Sequence, residues 1–347
     1  MEKMVDLRSC TIVELEDLAI QAGEKKFRGR QIFSWVYKGI DDIDSMTNLS
    51  KKFKNQLKRV SYVNNMDILK VLESKIDGTK KYLFALKDGN IIESVLMKYK
   101  HGNTVCVSTQ VGCKMGCSFC ASTIDGIVRN LTSGEIIGQI LSIQKDNGER
   151  ISNVVLMGSG EPLDNYEEII KFFNIINDPL GLNISMRNIT LSTCGIIPKL
   201  LELAEERLQI TLAISLHAPN DSMRNKIMPI NKVYNIEKLL DACKKYTKKT
   251  NRRVTFEYSL IKGFNDDKAC AIELSQKLKN MLCHVNLIPL NEVKEKQLKG
   301  STRERAYEFQ KILKKNGIDA TIRRELGSDI DAACGQLRKS YIENVKK

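Results

Sequence analysis

The chain has 347 residues, of which 42% are hydrophobic and 28% charged, and its formal net charge is +13 at pH 7. This length predicts about two domains, and no apolar run approaches the ~18 residues of a membrane span, which argues against a membrane protein. The segment MEKMVDLRSC has no apolar signal-peptide core, so we expect a cytoplasmic protein whose ten cysteines serve metal binding or catalysis, not disulfides.

The excess of positive charge favours a polyanionic partner such as RNA. A lysine-rich proteome is the alternative explanation, and the lysines are too spread out along the chain to mark one site. Charge therefore indicates a class of partner without locating it.

Residues 1–75 are predicted to form a small helical accessory domain. Thr11 is expected to cap the first helix, with Glu14 at the capping-box position and Gly23 just after the helix ends. Two further helices are predicted over FRGRQIFSWVYKG and KKFKNQLKRV, and the second of these has a basic face. That face is a candidate contact for RNA, and an ordinary solvated surface is the alternative.

Residues 76–98 are predicted to form a β-meander extension, because KKYLFAL and IIESVLMK flank the tight turn DGN and another strand, TVCVSTQ, follows. From residue 99 to residue 335 strands alternate with helices in about six repeats, which predicts a parallel sheet with right-handed crossovers. The expected fold class is therefore α/β: a partial (β/α)6 barrel with the helical domain and the meander added. Function in such barrels lies at the carboxyl ends of the strands.

Three cysteines follow the last meander strand with the spacing C-x3-C-x2-C: Cys113, Cys117 and Cys120. Structural zinc needs four ligands, and neither a second cysteine pair nor suitably spaced histidines are present, so zinc is the weaker interpretation. Three thiolates can instead hold three irons of a 4Fe–4S cluster and leave the fourth iron open to a ligand. In this spacing the chain resembles the radical S-adenosylmethionine (SAM) superfamily, in which the open iron binds the amino and carboxylate groups of SAM.

Polar residues and glycines recur where later strands end. In the turn MGSGEP, Gly160 and Glu161 match the position that binds the SAM amino group in radical SAM enzymes. Each of the later residues could be a satisfied polar cap, but the series favours a pocket for a polar ligand. The predicted SAM-binding residues are Gly160, Glu161, Ser192, Ser215, Leu216, His217 and Asn291.

A closer resemblance comes from motifs taken in order. GCKMGCSFCAS, MGSGEP, SLHAPN, MPIN, HVNLIP and DIDAACGQLR are similar to those of the dual-specificity adenine carbon-2 methyltransferases of 23S rRNA and tRNA (RlmN type). The motifs span residues 93–337. Two departures are Ser159, where methionine is common, and Cys194, where a small hydroxyl residue is common.

This resemblance implies roles for three residues outside the cluster loop. Cys334 would take a methyl group from one SAM, a second SAM would provide the radical, and Cys106 would release the product through a transient disulfide. Glu93 matches the proposed base for the carbon-2 proton. A lone cysteine is more often a small buried side chain, and the other five are interpreted as packing: Cys10, Cys194, Cys243, Cys270 and Cys283.

The implied cofactors are one 4Fe–4S cluster held by three cysteines and two SAM molecules per turnover. The implied partners are 23S rRNA at the peptidyl transferase centre, tRNA at the adenosine 3′ of the anticodon, and an external one-electron reductant of flavodoxin or ferredoxin type. A monomer is expected. The alternatives are the carbon-8 sister family that confers antibiotic resistance (Cfr-like), a radical SAM enzyme acting on a protein or small molecule, and a non-enzymatic RNA-binding metalloprotein.

Overall fold

The computed structural model describes residues 4–337, so residues 1–3 of the predicted accessory domain lie outside the described residues. The strands are β1 Val5–Asp6, β2 Ser61–Tyr62, β3 Asp67–Glu73, β4 Lys80–Ala85, β5 Ile91–Tyr99, β6 Gly102–Cys106, β7 Gln110–Gly112, β8 Ile127–Asn130, β9 Ile151–Leu156, β10 Ile189–Thr193, β11 Thr211–Ser215, β12 Val254–Leu260, β13 Cys283–Pro289 and β14 Ala320–Ile322. The helices are α1 Ile12–Gln21, α2 Phe27–Tyr37, α3 Lys51–Val60, α4 Ser133–Asn147, α5 Tyr166–Ile176, α6 Ile197–Glu205, α7 Asp221–Ile227, α8 Ile236–Thr250, α9 Lys268–Leu278 and α10 Arg303–Lys315.

One ten-stranded sheet organises the described residues, in the order β14-β13-β12-β11-β10-β9-β6-β5-β4-β3. The six strands from β14 to β9, together with β6, are parallel to one another, whereas β5, antiparallel to β6, and then β4 and β3 continue the same sheet as an antiparallel meander. A helix follows each parallel strand from β6 to β13, and these make six strand–helix units before β14. The predicted α/β fold, a partial (β/α)6 barrel with a meander and an N-terminal helical region, is confirmed.

The N-terminal helices pack onto the same hydrophobic core as the barrel. Thr11 caps α1 and its partner Glu14 completes the capping box, as the sequence predicts. The helices α1 and α2 approach closely at Gly29, where a side-chain Cβ would lie 2.3 Å from the backbone nitrogen of Glu16. A glycine at this point therefore sets the spacing of the helix pair.

Several local features differ from the sequence prediction. Strand β3 lies where the helical region was expected to extend, because residues 67–73 pair with β4 as the exposed edge of the sheet. The segment LTSGEIIGQILSIQ predicts a helix with Ser133 as its cap, but the cap of α4 is Thr132, because Thr132 has the extended backbone and its side chain accepts a hydrogen bond from the N–H of Glu135. Helix α7 and the short hairpin of β7 and β8 were not anticipated. Within residues 4–337 we find no helix with the length and apolar character required to traverse a bilayer.

Candidate active site

The cluster loop, residues 113–126, is closed by the hairpin of β7 and β8. The N–H of Cys113 donates to the carbonyl of Gly126 (3.0 Å), and a Cβ on Gly112 would lie only 2.0 Å from that oxygen. Gly112 has a φ of 77°, which glycine adopts readily. The hydroxyl of Thr123 donates to the carbonyls of Cys117 (3.1 Å) and Cys120 (2.9 Å). Short-range contacts therefore fix the loop that carries the three cysteines.

The three thiols of Cys113, Cys117 and Cys120 line one cavity. Burial raises the pKa of the Cys113 thiol to about 12, and burial together with the neighbouring thiols raises the pKa of Cys117 further. Thiolates in such a place need compensating positive charge. No group of three or more His, Cys, Asp or Glu side chains within residues 4–337 converges on the position of a single metal ion. An iron–sulfur cluster suits thiols that share a cavity without converging, because each thiolate binds a separate iron.

The turn after β9 forms another wall of this cavity. Gly160 has a φ of 110°, and a Cβ there would lie 2.7 Å from the side chain of Gln110. The side chain of Gln110 in turn accepts a hydrogen bond from the N–H of Glu161 (2.8 Å). The carboxylate of Glu161 accepts from the N–H groups of Leu163 (3.0 Å) and Cys194 (2.8 Å). Burial nevertheless raises the pKa of Glu161, so an ammonium group would be a favourable ligand for it.

The later strand ends complete the cavity. Its lining includes four of the predicted SAM-binding residues beyond the MGSGEP turn: Ser192, Ser215, His217 and Asn291. The side chain of Leu216 does not line it and packs in the hydrophobic core, while its N–H donates to the carbonyl of Glu257 (3.1 Å).

His217 is held as a neutral imidazole. Its Nδ1 accepts a hydrogen bond from the N–H of Ser259 (2.9 Å), which leaves the proton on Nε2. Burial and the guanidinium of Arg224 lower the pKa of His217 to about 3. The ring of Phe119, in the cluster loop, meets the His217 ring edge-on with centroids 4.8 Å apart. His217 is therefore a fixed hydrogen-bond donor beside the cluster loop across the physiological pH range.

Cys106 and Cys334 line a second cavity together with Arg323. Cys334 and Arg323 also line the first cavity, so the two cavities meet at these residues. Burial raises the pKa of Cys106 to about 12, the neighbouring Cys334 raises it too, and Arg323 opposes both effects. Cys334 in turn is the largest cause of the raised pKa of Arg323. The structure thus brings the two predicted catalytic cysteines and one guanidinium together.

The cysteine loop, residues 327–337, is held by several parts of the chain. The side-chain amide of Asn291 donates to the carbonyl of Cys334 (3.0 Å), and the N–H of Ala121 donates to that of Gly335 (2.8 Å). The hydroxyl of Ser122 donates to the carbonyl of Leu337 (2.9 Å). Since Ala121 and Ser122 directly follow Cys120, the cluster loop and the cysteine loop are joined.

Glu93 lies apart from the first cavity. It lines a separate small cavity, is 2% exposed, and its Oε1 is 3.6 Å from Nζ of Lys81. Glu93 is on the same sheet face as Cys106, because Val95, two residues further along β5, pairs with Cys106. Lys81 also donates to the carbonyl of Asp331 in the cysteine loop (3.2 Å). Glu93 therefore faces the cysteine loop from the meander.

Three site residues have no counterpart in the sequence prediction: Arg224, Glu257 and Arg323. Arg224 is fully buried and its guanidinium ties the ends of β10 and β11 to α7. Arg224 lies between the recognised motifs SLHAPN and MPIN, and its closeness to both motifs is the feature of the sequence that could have identified it as a site residue. Glu257 and Arg323 lie within or just after strands, where nothing in the local sequence distinguishes them.

The chain matches two family models, described as "Radical SAM superfamily" over residues 107–275 and "Ribosomal RNA large subunit methyltransferase N-terminal domain" over residues 5–63. A curated relative from Alkaliphilus oremlandii is 59% identical, and the alignment covers 99% of this chain and 100% of the relative. Another, from Clostridium novyi, is 58% identical over 98% of this chain and 100% of its own length. Both carry the name "Probable dual-specificity RNA methyltransferase RlmN".

A solved structure titled "Crystal Structure of a radical SAM methyltransferase from Sphaerobacter thermophilus" aligns with a TM-score of 0.92 and 44% identity, covering 96% of this chain and 99% of that one. Sequence and structure thus agree over nearly the whole chain. The protein therefore belongs to the RlmN family of radical SAM RNA methyltransferases.

Proposed function

We propose that this methyltransferase adds a methyl group to carbon 2 of adenosine in 23S rRNA and in tRNA, with Cys334 as the methyl carrier. One observation carries the proposal: Cys334 borders both the cavity of the three cluster cysteines and the cavity that holds Cys106. A methyl group on this sulfur would be reachable by a radical formed at the cluster and by a resolving thiol.

The cofactors follow from the family, and the residues fit them. Cys113, Cys117 and Cys120 would hold a 4Fe–4S cluster, while Glu161 and the polar strand ends would hold SAM. When bound, this pair supplies a carbon-centred radical that can abstract hydrogen. Two SAM molecules are consumed per turnover, because one gives its methyl group to Cys334 and the other yields the radical.

Carbon 2 of adenine is neither nucleophilic nor acidic, so a polar methyl transfer cannot reach it. The Cys334 thiolate would first attack the methyl carbon of SAM, which forms a sulfur–carbon bond on Cys334, breaks the methyl–sulfonium bond and releases the thioether S-adenosylhomocysteine. After loss of one hydrogen atom the methylene carbon bonds to carbon 2. Glu93 would accept the carbon-2 proton. Cys106 would then attack the sulfur of Cys334, which breaks the sulfur–carbon bond and forms a disulfide. The cleaved carbon keeps the electron pair of the broken bond and takes up a proton to become the methyl group. The adduct radical would give up one electron before this attack, which balances the electron taken up to form the radical.

The proposed RNA substrates and reductant rest on the net charge of the chain and on its homologous relatives. A net charge of +13 suits RNA, and the relatives' printed names describe dual-specificity RNA methyltransferases. We propose 23S rRNA at the peptidyl transferase centre and tRNA at the adenosine 3′ of the anticodon as substrates, an external flavodoxin-like or ferredoxin-like reductant, and a monomeric enzyme in the cytoplasm. The match to the RlmN N-terminal domain favours this family over the carbon-8 sister family and over a non-enzymatic protein.

The decisive experiment replaces Cys106 by alanine. The variant should accept the methyl group and form the bond to RNA, but without the second thiol it should remain joined to RNA through Cys334. A denaturing gel of protein expressed in cells should show nuclease-sensitive, RNA-shifted bands. Cys334→Ala should show neither protein methylation nor a shift.

A matched control is Cys243→Ala, which removes a cysteine buried in the core on α8 and should behave as the wild type. Nucleoside mass spectrometry of rRNA and tRNA after anaerobic reaction identifies the methylated carbon. Free turnover by Cys106→Ala, or identical behaviour of Cys106→Ala and Cys334→Ala, would contradict the assigned roles.

A further inference from the structure

Four neighbouring parallel strands place polar side chains at one level of the barrel. Ser215 pairs with Glu257, Glu257 with Asn286, and Asn286 with Thr321. Residues paired across adjacent strands point to the same side of a sheet. Glu257 therefore points to the same side as Ser215, and both line the cavity of the cluster cysteines.

The carboxylate of Glu257 is buried, and within residues 4–337 only one of its two oxygens has a hydrogen-bond or ion-pair partner. Its Oε2 accepts a hydrogen bond from the side-chain amide of Asn286 (2.9 Å) and lies 3.9 Å from a guanidinium nitrogen of Arg323. Within the part of the chain that the structure describes, no donor forms a hydrogen bond with Oε1, and this oxygen keeps some solvent-accessible surface. The residue as a whole is only 5% exposed, so Oε1 opens towards the cavity.

Such an oxygen calls for a ligand that donates a hydrogen bond. Burial raises the pKa of Glu257, while Arg323 and Asn286 oppose this effect, so the carboxylate lacks full compensation for the water it has lost. Because Asn286 and Arg323 hold Oε2, the direction of Oε1 is fixed before any ligand arrives.

The chemistry of SAM limits which of its groups can donate a hydrogen bond to Oε1 of Glu257. Its amino group is assigned to the open iron and to Glu161, on the turn after β9, and the remaining donors are the ribose hydroxyls and the adenine amine. The ribose offers two vicinal hydroxyls, and Ser215 and Glu257 place two acceptors side by side on adjacent strands. An acidic side chain that accepts from a ribose hydroxyl is also a known solution in dinucleotide sites.

We propose that Glu257 accepts a hydrogen bond from a ribose hydroxyl of SAM through Oε1. Glu257 is thus a cofactor-binding residue on β12, additional to those of the sequence motifs. The proposal rests on the proposed function in one respect, since it requires SAM to occupy this cavity. Its consequence is that Glu257 links the two cavities: one oxygen contacts the cofactor, and the other holds the guanidinium beside Cys106 and Cys334.

Equilibrium binding to the anaerobically reconstituted enzyme tests the contact without reference to turnover. The dissociation constants of SAM, 2′-deoxy-SAM and 3′-deoxy-SAM are measured for the wild type, Glu257→Gln and Glu257→Ala. In the wild type, loss of the contacted hydroxyl should weaken binding by about tenfold to a hundredfold, the range for a hydrogen bond to a charged acceptor. In Glu257→Ala that penalty should fall to within about twofold, and Glu257→Gln should lie between, since a neutral amide is a weaker acceptor.

Glu273→Gln is the matched control, because that carboxylate lies on α9 outside the cavity and should leave all three constants unchanged. Iron content and thermal melting verify that each variant is folded and loaded, and Glu257→Gln carries the test if Glu257→Ala fails to fold. An undiminished deoxy penalty in the Glu257 variants would overturn the contact, as would a wild type that binds both deoxy analogues as tightly as SAM. A wild type that holds iron but binds no SAM would instead overturn the proposed function, and the contact with it.

Discussion

Arg224 offers the sharpest test of how the cavity is built at the ends of β10 and β11. The residue is fully buried on α7, and its guanidinium donates one long hydrogen bond to the carbonyl of Tyr234 (3.4 Å) and four shorter ones. The acceptors of these four are the carbonyls of Leu216 (3.1 Å), Cys194 (2.9 Å) and Ser215 (3.0 Å) and the side-chain oxygen of Asn231 (2.9 Å). Three of these four acceptors lie where β10 and β11 end. Replacement of Arg224 by methionine keeps most of the volume and removes every donor.

The expected loss in the free energy of unfolding follows from the buried acceptors that Arg224→Met leaves without a donor. A buried acceptor without a partner costs about 1–3 kcal/mol, so four would cost about 4–12 kcal/mol if none relaxed. Two effects reduce this sum: water can reach part of the opened cavity, and the burial penalty of the guanidinium itself is removed. We therefore expect Arg224→Met to lower the free energy of unfolding by about 3–5 kcal/mol. Arg224→Lys should recover only part of it, because one ammonium cannot span acceptors on both strands.

Urea unfolding followed by far-ultraviolet circular dichroism measures the loss, and SAM binding to the reconstituted enzyme measures its effect on the cavity. The matched control is Arg253→Met, because Arg253 is exposed and its carboxylate partner, Asp319, lies 3.7 Å away at the surface. That change should cost less than about 1 kcal/mol. Two outcomes would contradict a role of the buried Arg224 guanidinium in shaping the cavity. One is a loss of less than about 1 kcal/mol in the free energy of unfolding of Arg224→Met, and the other is an unchanged SAM affinity in a destabilised Arg224→Met.

Three further outcomes are expected. Alanine at any one of Cys113, Cys117 or Cys120 should abolish the binding of about four irons per chain while circular dichroism stays native, and full iron retention would disprove the ligand assignment. Glu93→Gln should keep SAM cleavage but accumulate the covalent protein–RNA adduct on denaturing gels, whereas normal turnover would move the base role elsewhere. His217 has a pKa lowered to about 3 in the folded state, below the ~6.5 of an unfolded chain, so the unfolded state binds the extra proton. Its contribution to stability is therefore complete above pH ~6.5 and is lost as pH falls from 6.5 towards 3, at up to ~1.4 kcal/mol per unit. His217→Gln should flatten this slope in denaturant titrations between pH 5 and 7, and parallel slopes would refute the neutral buried imidazole.

The features that the sequence predicts well are those encoded by neighbouring residues. Three cysteines within eight positions must share a loop, and a capping box such as Thr11 with Glu14 is complete within four residues. The alternation of strands and helices is likewise a local period, so the barrel and its functional edge follow from it. Thr132 and Ser133 show the limit: both side chains can cap a helix, and only the backbone conformation of Thr132 selects it.

What escapes prediction depends on register between distant segments. Glu257 lies in the middle of a strand, and its place in the cavity follows from pairing with Ser215, 42 positions earlier in the chain. Arg323 acquires a role only because β14 pairs with β13 and brings its guanidinium towards Cys106 and Cys334. Neither residue is flanked by a turn, a glycine or a cysteine that would distinguish it from an ordinary buried or surface charge.

The position of Cys334 in the cysteine loop depends on residues from distant parts of the chain. Cys334 has no helix or strand of its own to fix it, since the nearest regular segment is the short 3-10 turn Ser328–Ile330. Its position comes instead from partners elsewhere: Ala121 beside the cluster cysteines, Asn291 after β13 and Lys81 on the meander. Each of these lies at or beside a residue that the proposed chemistry uses, because Ala121 follows Cys120, Asn291 lines both cavities and Lys81 pairs with Glu93. A change at any one of these three partners should therefore displace the Cys334 sulfur relative to the other two, so the position of Cys334 is a property of the assembled site and not of its own loop.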